Sequence, residues 1–191
     1  EGQVHYRYSG DFKNSITPLV LIHASPTSSL SLKQLMLSLR KKNDSIPLYA
    51  PDTIGNGDSC KPTISSPDIS YYSNALERQL KKLKINEINI YGTHTGGSIA
   101  MDLAINHPNI VKKVIIDGIG MYEEDEKLDM LKNYTPEIKP DLMGSQINWA
   151  WHFIRDQNFF FPWYKKQKDY QRIDGIQSAD TLHDSVVEVL K

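Results

Sequence analysis

The sequence predicts an α/β fold, a mostly parallel sheet flanked by helices. Short apolar runs alternate with helical patterns between residues 4 and 117, and such alternation is typical of a parallel sheet with right-handed crossovers. Residues 19–22 are four consecutive apolar residues, which predicts a strand that is covered on both faces. The chain has 191 residues, enough to bury one sizeable core with at most a small insertion.

The first half of the pattern gives two strands, a helix and a third strand. Alternating residues predict an edge strand over residues 4–8, and residues 19–22 form the buried strand. Apolar residues at helical spacing predict a helix over residues 32–39, and the basic residues 40–42 suit its negative C-terminal end. A short strand is expected at residues 47–50.

The second half repeats the alternation with clearer end signals. Residues 66–68 predict a helix start, with Ser66 as the N-cap, Pro67 in the first turn and Asp68 at the positive end, and an apolar stripe from Ile69 to Leu83 follows. A strand at residues 88–91 leads through a tight turn into another helix. That helix should end near His107 because Pro108 cannot continue it. The last strand of the pattern covers residues 111–116.

The character of the chain changes after residue 119, so we divide it into residues 1–119 and 120–191. The second part contains a charged helix at residues 123–133, an aromatic stretch at 148–164 and an amphipathic helix at 184–191. The aromatic stretch fits either the lining of an apolar pocket or a packed interface.

Composition argues against several classes of partner. Lys and Arg number 22 against 23 Asp and Glu, whereas a nucleic acid or an anionic membrane requires a basic surface. No apolar run approaches the ~20 residues of a membrane helix. One cysteine, Cys60, and six dispersed His residues predict no metal site and no cofactor. We expect a soluble protein of the cytoplasm or an organelle matrix.

Three loops follow predicted strands at their carboxyl ends, where open α/β sheets bind ligands. They cover residues 23–26, 52–59 and 92–97. In this order they resemble three loops of the α/β-hydrolase family. The first is similar to its His-Gly-x-Pro oxyanion loop, the second to its Asp-x-x-Gly-x-Gly-x-Ser loop, and the third to its nucleophile elbow, Gly-x-nucleophile-x-Gly.

The resemblance covers roughly residues 4–120, and its wording is closest to the haloalkane dehalogenase and epoxide hydrolase branch. It implies an α/β-hydrolase-like core followed by a helical cap. It also implies that His94 stands where the family has Ser, Asp or Cys. Because the carboxylate nucleophile of that branch is absent, we expect neither dehalogenation nor epoxide opening.

The resemblance implies a role for several residues. His94 would be a general base or a nucleophile, and Asp117 would orient its ring. Backbone amides of Ala24 or Ser25 with Thr95 would form an oxyanion hole. The aromatic side chains that would line a substrate pocket are Trp149, Trp151 and Phe153. We interpret His23 and Asp52 as structural, His23 through bonds to loop backbone and Asp52 as the organiser of its loop.

The family's catalytic His and last strands have no counterpart up to Lys191. We expect that another polypeptide completes the sheet or that the sequence is a fragment. The favoured function is a cofactor-free hydrolase of a small apolar ester or carbonyl compound. The alternatives are a non-catalytic relative that binds a small molecule or serves as a structural subunit, and cofactor-free lyase or oxygenase chemistry.

Overall fold

Five strands form the central sheet. A computed structural model of the chain describes residues 2–13, 16–133 and 139–159. The strands are β1 (Tyr6–Ser9), β2 (Leu19–Ile22), β3 (Leu48–Pro51), β4 (Ile88–Thr93) and β5 (Val111–Asp117). Their spatial order is β1-β3-β2-β4-β5, with β1 antiparallel to β3 and the other neighbours parallel. This confirms the mostly parallel sheet that the alternating pattern predicts.

Helices connect and flank the strands. Within the described residues they are a short 3-10 helix (Ser29–Leu32), α1 (Lys33–Lys42), α2 (Ile69–Lys82), α3 (Thr95–Asn106), α4 (Glu124–Asn133) and α5 (Ser145–Phe159). Helix α3 ends at Asn106, as the following His107 and Pro108 predict. The helix predicted at residues 184–191 lies outside the described residues.

The start of α2 differs from the prediction. Asp68, not Ser66, is the N-cap, since its carboxylate accepts a hydrogen bond of 2.7 Å from the amide of Tyr71. Asp68 has extended backbone angles, and the helix begins one residue later at Ile69. A carboxylate at this position satisfies a free first-turn amide and interacts favourably with the positive end of the helix.

Strand β2 is buried on both faces, as its four apolar residues predict. Val20 and Ile22 belong to the larger core, which lies between the sheet and helices α2 and α3. Leu21 belongs to a second core beneath α1, together with Met36. Strand β2 is therefore packed on both faces, and this packing fixes the point at which the following loop begins.

Strand β5 is an outer strand of the described sheet and is largely exposed. Val114, Ile115 and Ile116 keep 38%, 52% and 38% of their surface accessible. The chain divides into two compact units, and the boundary along the sequence falls between Met121 and Tyr122. The second contains α4 and α5, and its interpretation as a cap stays a prediction. Across the described residues, every helix is too short or too polar to span a membrane.

Helix α3 offers a matched test of the larger core. Leu103 is fully buried, whereas Ile105 on the same helix is 71% exposed. We expect Leu103→Ala to lower the free energy of unfolding by ~3 kcal/mol, because it leaves a cavity in the core. Ile105→Ala should cost less than ~1 kcal/mol. Urea denaturation of both variants measures the difference, and equal losses would contradict the burial of Leu103.

Candidate active site

The turn between β4 and α3 places one side chain in a strained position. Thr93 ends the strand and Thr95 begins the helix, so His94 makes the whole connection. His94 has φ 49° and ψ −117°, a backbone region in which a non-glycine residue costs on the order of 1–3 kcal/mol. Its side chain is exposed at the carboxyl end of β4, ahead of the first turn of α3.

Two glycines make this turn possible. A Cβ atom at Gly92 would lie 2.1 Å from the carbonyl oxygen of Gly96. A Cβ atom at Gly96 would lie 2.3 Å from the carbonyl oxygen of Ile22 and 2.7 Å from that of His23. Helix α3 therefore starts in direct backbone contact with the end of β2. This contact also brings the first turn of α3 against the loop that begins at His23.

The end of β5 holds His94 in two ways. The His94 amide donates a hydrogen bond of 2.9 Å to the carbonyl oxygen of Asp117. The imidazole ring rests on Gly118, where a Cβ atom would lie 3.1 Å from the Cε1 atom of the ring. Gly118 has φ +68°, so both its conformation and the ring above it favour glycine at this position.

The Asp117 carboxylate bonds to Tyr91. The Tyr91 hydroxyl donates a hydrogen bond of 2.7 Å to Oδ2 of Asp117. Burial raises the pKa of Tyr91, and the hydrogen bond and negative charge of Asp117 raise it further. In the described chain, no hydrogen bond joins the His94 ring to this carboxylate. The structure thus brings His94 and Asp117 together at the neighbouring ends of β4 and β5, and Tyr91 binds the carboxylate of Asp117.

Tyr91 is the site residue that the sequence analysis missed. Thr93 pairs with Asp117 in the parallel ladder, so Tyr91 lies two residues back on the same face. In the sequence, Tyr91 could be recognised as a tyrosine two residues before the end of β4, a strand that pairs with the strand ending in Asp117. That signal becomes readable only when the pairing of β4 with β5 is known.

His23 holds the first loop as a buried, neutral ring. Its Nε2 atom accepts a hydrogen bond of 2.9 Å from the Thr53 amide, so the proton is on Nδ1, which donates to the Ala24 carbonyl oxygen at 2.8 Å. Burial lowers the pKa of His23, against smaller opposing effects of the Ala24 carbonyl and the Asp52 charge. This confirms the structural interpretation of His23.

Asp52 organises the second loop, as predicted. Its buried carboxylate accepts hydrogen bonds from the Ser29 amide at 2.7 Å, the Asp58 amide at 3.0 Å and His5 Nδ1 at 2.9 Å. Burial raises the pKa of this carboxyl, but the hydrogen bonds from Ser29, Asp58 and His5 outweigh it and lower the pKa to about 2.

One acidic cluster was not expected from the sequence. Ligand atoms of His5, Asp52 and Asp58 lie within 4.8 Å of one another, which is close enough for a metal ion. However, Oδ2 of Asp52 already accepts hydrogen bonds from His5 Nδ1 and from the Asp58 amide. These hydrogen bonds account for the geometry of the cluster, and we assign no metal to it.

The other predicted site residues lie at the loop and on α5. Ala24 is half-buried and Ser25 is exposed, while Thr95 is half-buried in the first turn of α3. Trp149 and Trp151 lie on α5, and two residues at this spacing do not share a helix face. Phe153 lies on the same helix, but its side chain is outside the described part of the structure. The aromatic residues between 160 and 164 also lie outside the described residues.

Comparison with known proteins agrees with this architecture. The sequence model of the family described as the alpha/beta hydrolase fold matches residues 17–185, which is most of the chain. The chain belongs to the α/β-hydrolase family. Within this family, the loops at residues 23–26, 52–59 and 92–97 lie where the resemblance places them, at the carboxyl ends of β2, β3 and β4.

The relatives that are similar in sequence are named for different reactions. The 2-hydroxymuconate semialdehyde hydrolase of Pseudomonas sp. (strain CF600) is 28% identical over 63% of this chain and 44% of that protein. Haloalkane dehalogenase 2 of Mycobacterium bovis is 25% identical over 65% of this chain and 41% of that protein. The chain therefore spans less than half the length of these relatives.

Solved structures support the fold. The epoxide hydrolase CorEH without ligand superposes with a TM-score of 0.58 at 23% identity, over 83% of this chain and 54% of that one. At this identity the likeness concerns the fold alone. The reaction and the substrate of this α/β-hydrolase therefore have to be argued from its own residues.

Acid should destabilise this α/β-hydrolase through Asp52. Its pKa is about 2 in the folded chain, against 3.8 for an unperturbed aspartate. The stabilisation is therefore fully present above pH ~4 and is lost as the pH falls through 2; it amounts to about 2 kcal/mol.

Urea denaturation between pH 6 and pH 2 tests this, with Asp52→Asn as the variant. The stability difference between the parent chain and Asp52→Asn should shrink as the pH falls from 4 to 2. Asp58→Asn, a change in the exposed carboxylate of the same loop, is the control. A constant difference across this range would contradict the hydrogen-bonded role of Asp52.

Proposed function

We propose that this α/β-hydrolase is a cofactor-free hydrolase that acts on a small, largely apolar ester or carbonyl substrate through His94. One observation carries the proposal. An exposed imidazole occupies a strained single-residue turn at the carboxyl end of β4, directly ahead of α3. Backbone strain of this kind is concentrated at functional sites, where it fixes the direction of a side chain.

The start of α3 can stabilise negative charge. The first amides of a helix have no partner within the helix, and they lie at the positive end of its dipole. In our proposal, the Thr95 amide and an amide of Ala24 or Ser25 donate to the oxyanion that forms when a carbonyl carbon is attacked. The contact of Gly96 with the backbone of His23 supports this pairing, since it brings the two segments together.

His94 has two possible roles in the proposal. As a general base, its ring removes a proton from water, whose oxygen attacks the ester carbonyl, and the imidazolium ion then gives the proton to the alcohol that leaves. As a nucleophile, a ring nitrogen attacks that carbonyl and expels the alcohol, and water then hydrolyses the acyl-imidazole. In both routes, the negative charge of nearby Asp117 stabilises the imidazolium ion.

Other parts of the proposal come from the family resemblance. The assignment of Trp149, Trp151 and Phe153 to a substrate pocket is taken from that resemblance and stays a prediction. A location in the cytoplasm or an organelle matrix stays a prediction. The identity of the acyl or carbonyl compound is not assigned.

A non-catalytic, ligand-binding relative is the second candidate. The observation that favours it is the hydrogen bond between Tyr91 and Asp117, which occupies the acid that would orient His94. Such a protein would be stabilised by small apolar ligands in thermal unfolding, because they bind only the folded chain, yet it would turn none of them over.

Hydrolysis of p-nitrophenyl esters by the full chain tests the role of His94. We expect His94→Gln to lower kcat by ~100-fold or more, because the general base or nucleophile is lost. His107→Gln is the matched control, since His107 follows the opposite end of α3 and bonds Asn74 at 3.2 Å. The control should retain its kcat.

Two results would count against the hydrolase. Equal kcat in His94→Gln and the parent chain would remove the assigned role of His94. Saturable thermal stabilisation of the parent chain by small apolar esters without ester turnover would favour the non-catalytic relative.

A further inference from the structure

A cationic groove lies between the edge strand β1 and helix α1, and neither His94 nor Asp117 lines it. Its volume is about 390 Å³, within the usual range for sites that bind small organic molecules. Arg7, Lys33 and Arg40 line it, and no Asp or Glu is among its lining residues in the described chain. This clustering stands out in a protein whose formal net charge is −1.

Helix α1 contributes two of the cations and an apolar strip between them. Lys33 and Arg40 are seven residues apart, which places them on one face two turns apart. Met36 and Leu37 line the groove between them. The groove therefore combines positive charge with an apolar wall, an arrangement suited to an organic anion.

Arg7 is a half-buried cation of the groove. Its Nε atom is buried and has no hydrogen-bond partner in the described chain. Buried donors without a partner are rare in folded proteins, so each calls for an explanation. Arg40 differs, because its guanidinium donates to the carbonyl oxygens of Asp44 and Ile46.

The cations of the groove are also free of carboxylate partners. Among the described residues, the ion pairs involve His5, Lys81, Lys112 and Lys127, and neither Arg7 nor Lys33 takes part in one. Guanidinium groups bind phosphate oxygens through paired hydrogen bonds, and a lysine adds a point charge. A phosphate group in the groove would neutralise these cations, and the lack of a partner for Nε shows that no acceptor of the described chain holds the Arg7 guanidinium on that side.

We propose that this groove binds a small organic phosphate monoester. The phosphate contacts Arg7 and Lys33, with Arg40 adding positive charge, and the organic group lies on Met36 and Leu37. The site is independent of His94, so binding does not require turnover at the candidate active site.

Isothermal titration calorimetry of the full chain with phenyl phosphate tests the proposal. We expect saturable 1:1 binding that weakens with added NaCl. Inorganic phosphate and benzoate should bind more weakly, and phenol should show no binding. Arg7→Gln should weaken phenyl phosphate binding by about tenfold or more, because it removes a charged hydrogen-bond donor.

Matched variants separate the groove from general electrostatics. Lys33 is exposed at the start of α1, so Lys33→Gln should fold normally and weaken binding about fivefold. Lys42→Gln removes the same charge from α1 outside the groove lining and should leave binding within about twofold. His94→Gln should bind phenyl phosphate as the parent chain does.

Several outcomes would overturn the site. An absence of saturable phenyl phosphate binding would remove it, and equal losses in Lys42→Gln and Lys33→Gln would reduce it to general attraction. Equal affinity for inorganic phosphate would remove the apolar part of the proposal. Equal affinity for benzoate would remove the assignment to phosphate.

Discussion

The buried carboxylate of Asp52 fixes the relative positions of three distant segments of chain. It binds His5 just before β1, the Ser29 amide at the start of the short 3-10 helix, and the Asp58 amide in its own loop. One residue further, the Thr53 amide binds the ring of His23. Hydrogen bonds therefore join the loops after β2 and β3 into one rigid wall. Helix α3 begins against this wall, where Gly96 contacts the carbonyl oxygen of His23.

Rigidity of this wall explains how a strained histidine can persist. The strain at His94 is local, whereas the packing that opposes its relaxation extends through both cores. Gly96 touches the backbone at the end of β2, and β2 is buried on both faces. A shift of His94 to relaxed backbone angles would have to move α3 away from this strand, which would expose the apolar side chains beneath it.

Local signals predicted the elements of the fold, and pairing decided the rest. The apolar run at residues 19–22 and Pro108 were sufficient to predict β2 and the end of α3, because burial and helix termination act within a few residues. The cap at Asp68 was missed because Ser66, Pro67 and Asp68 all favour a helix start. The bond between Tyr91 and Asp117 depends on the register of β4 against β5, which no short stretch of sequence contains.

The hydrogen bond from Tyr91 to Asp117 links the chemistry of the strand ends to the core on one side of the sheet. Tyr91 packs against the cluster that contains Leu21, Met36 and Leu48, so the position of its hydroxyl depends on how those side chains fit together. A change in the size of a residue beneath α1 would therefore be felt at the Asp117 carboxylate. We therefore expect substitutions in that core and substitutions at the strand end to be coupled in their effects on stability.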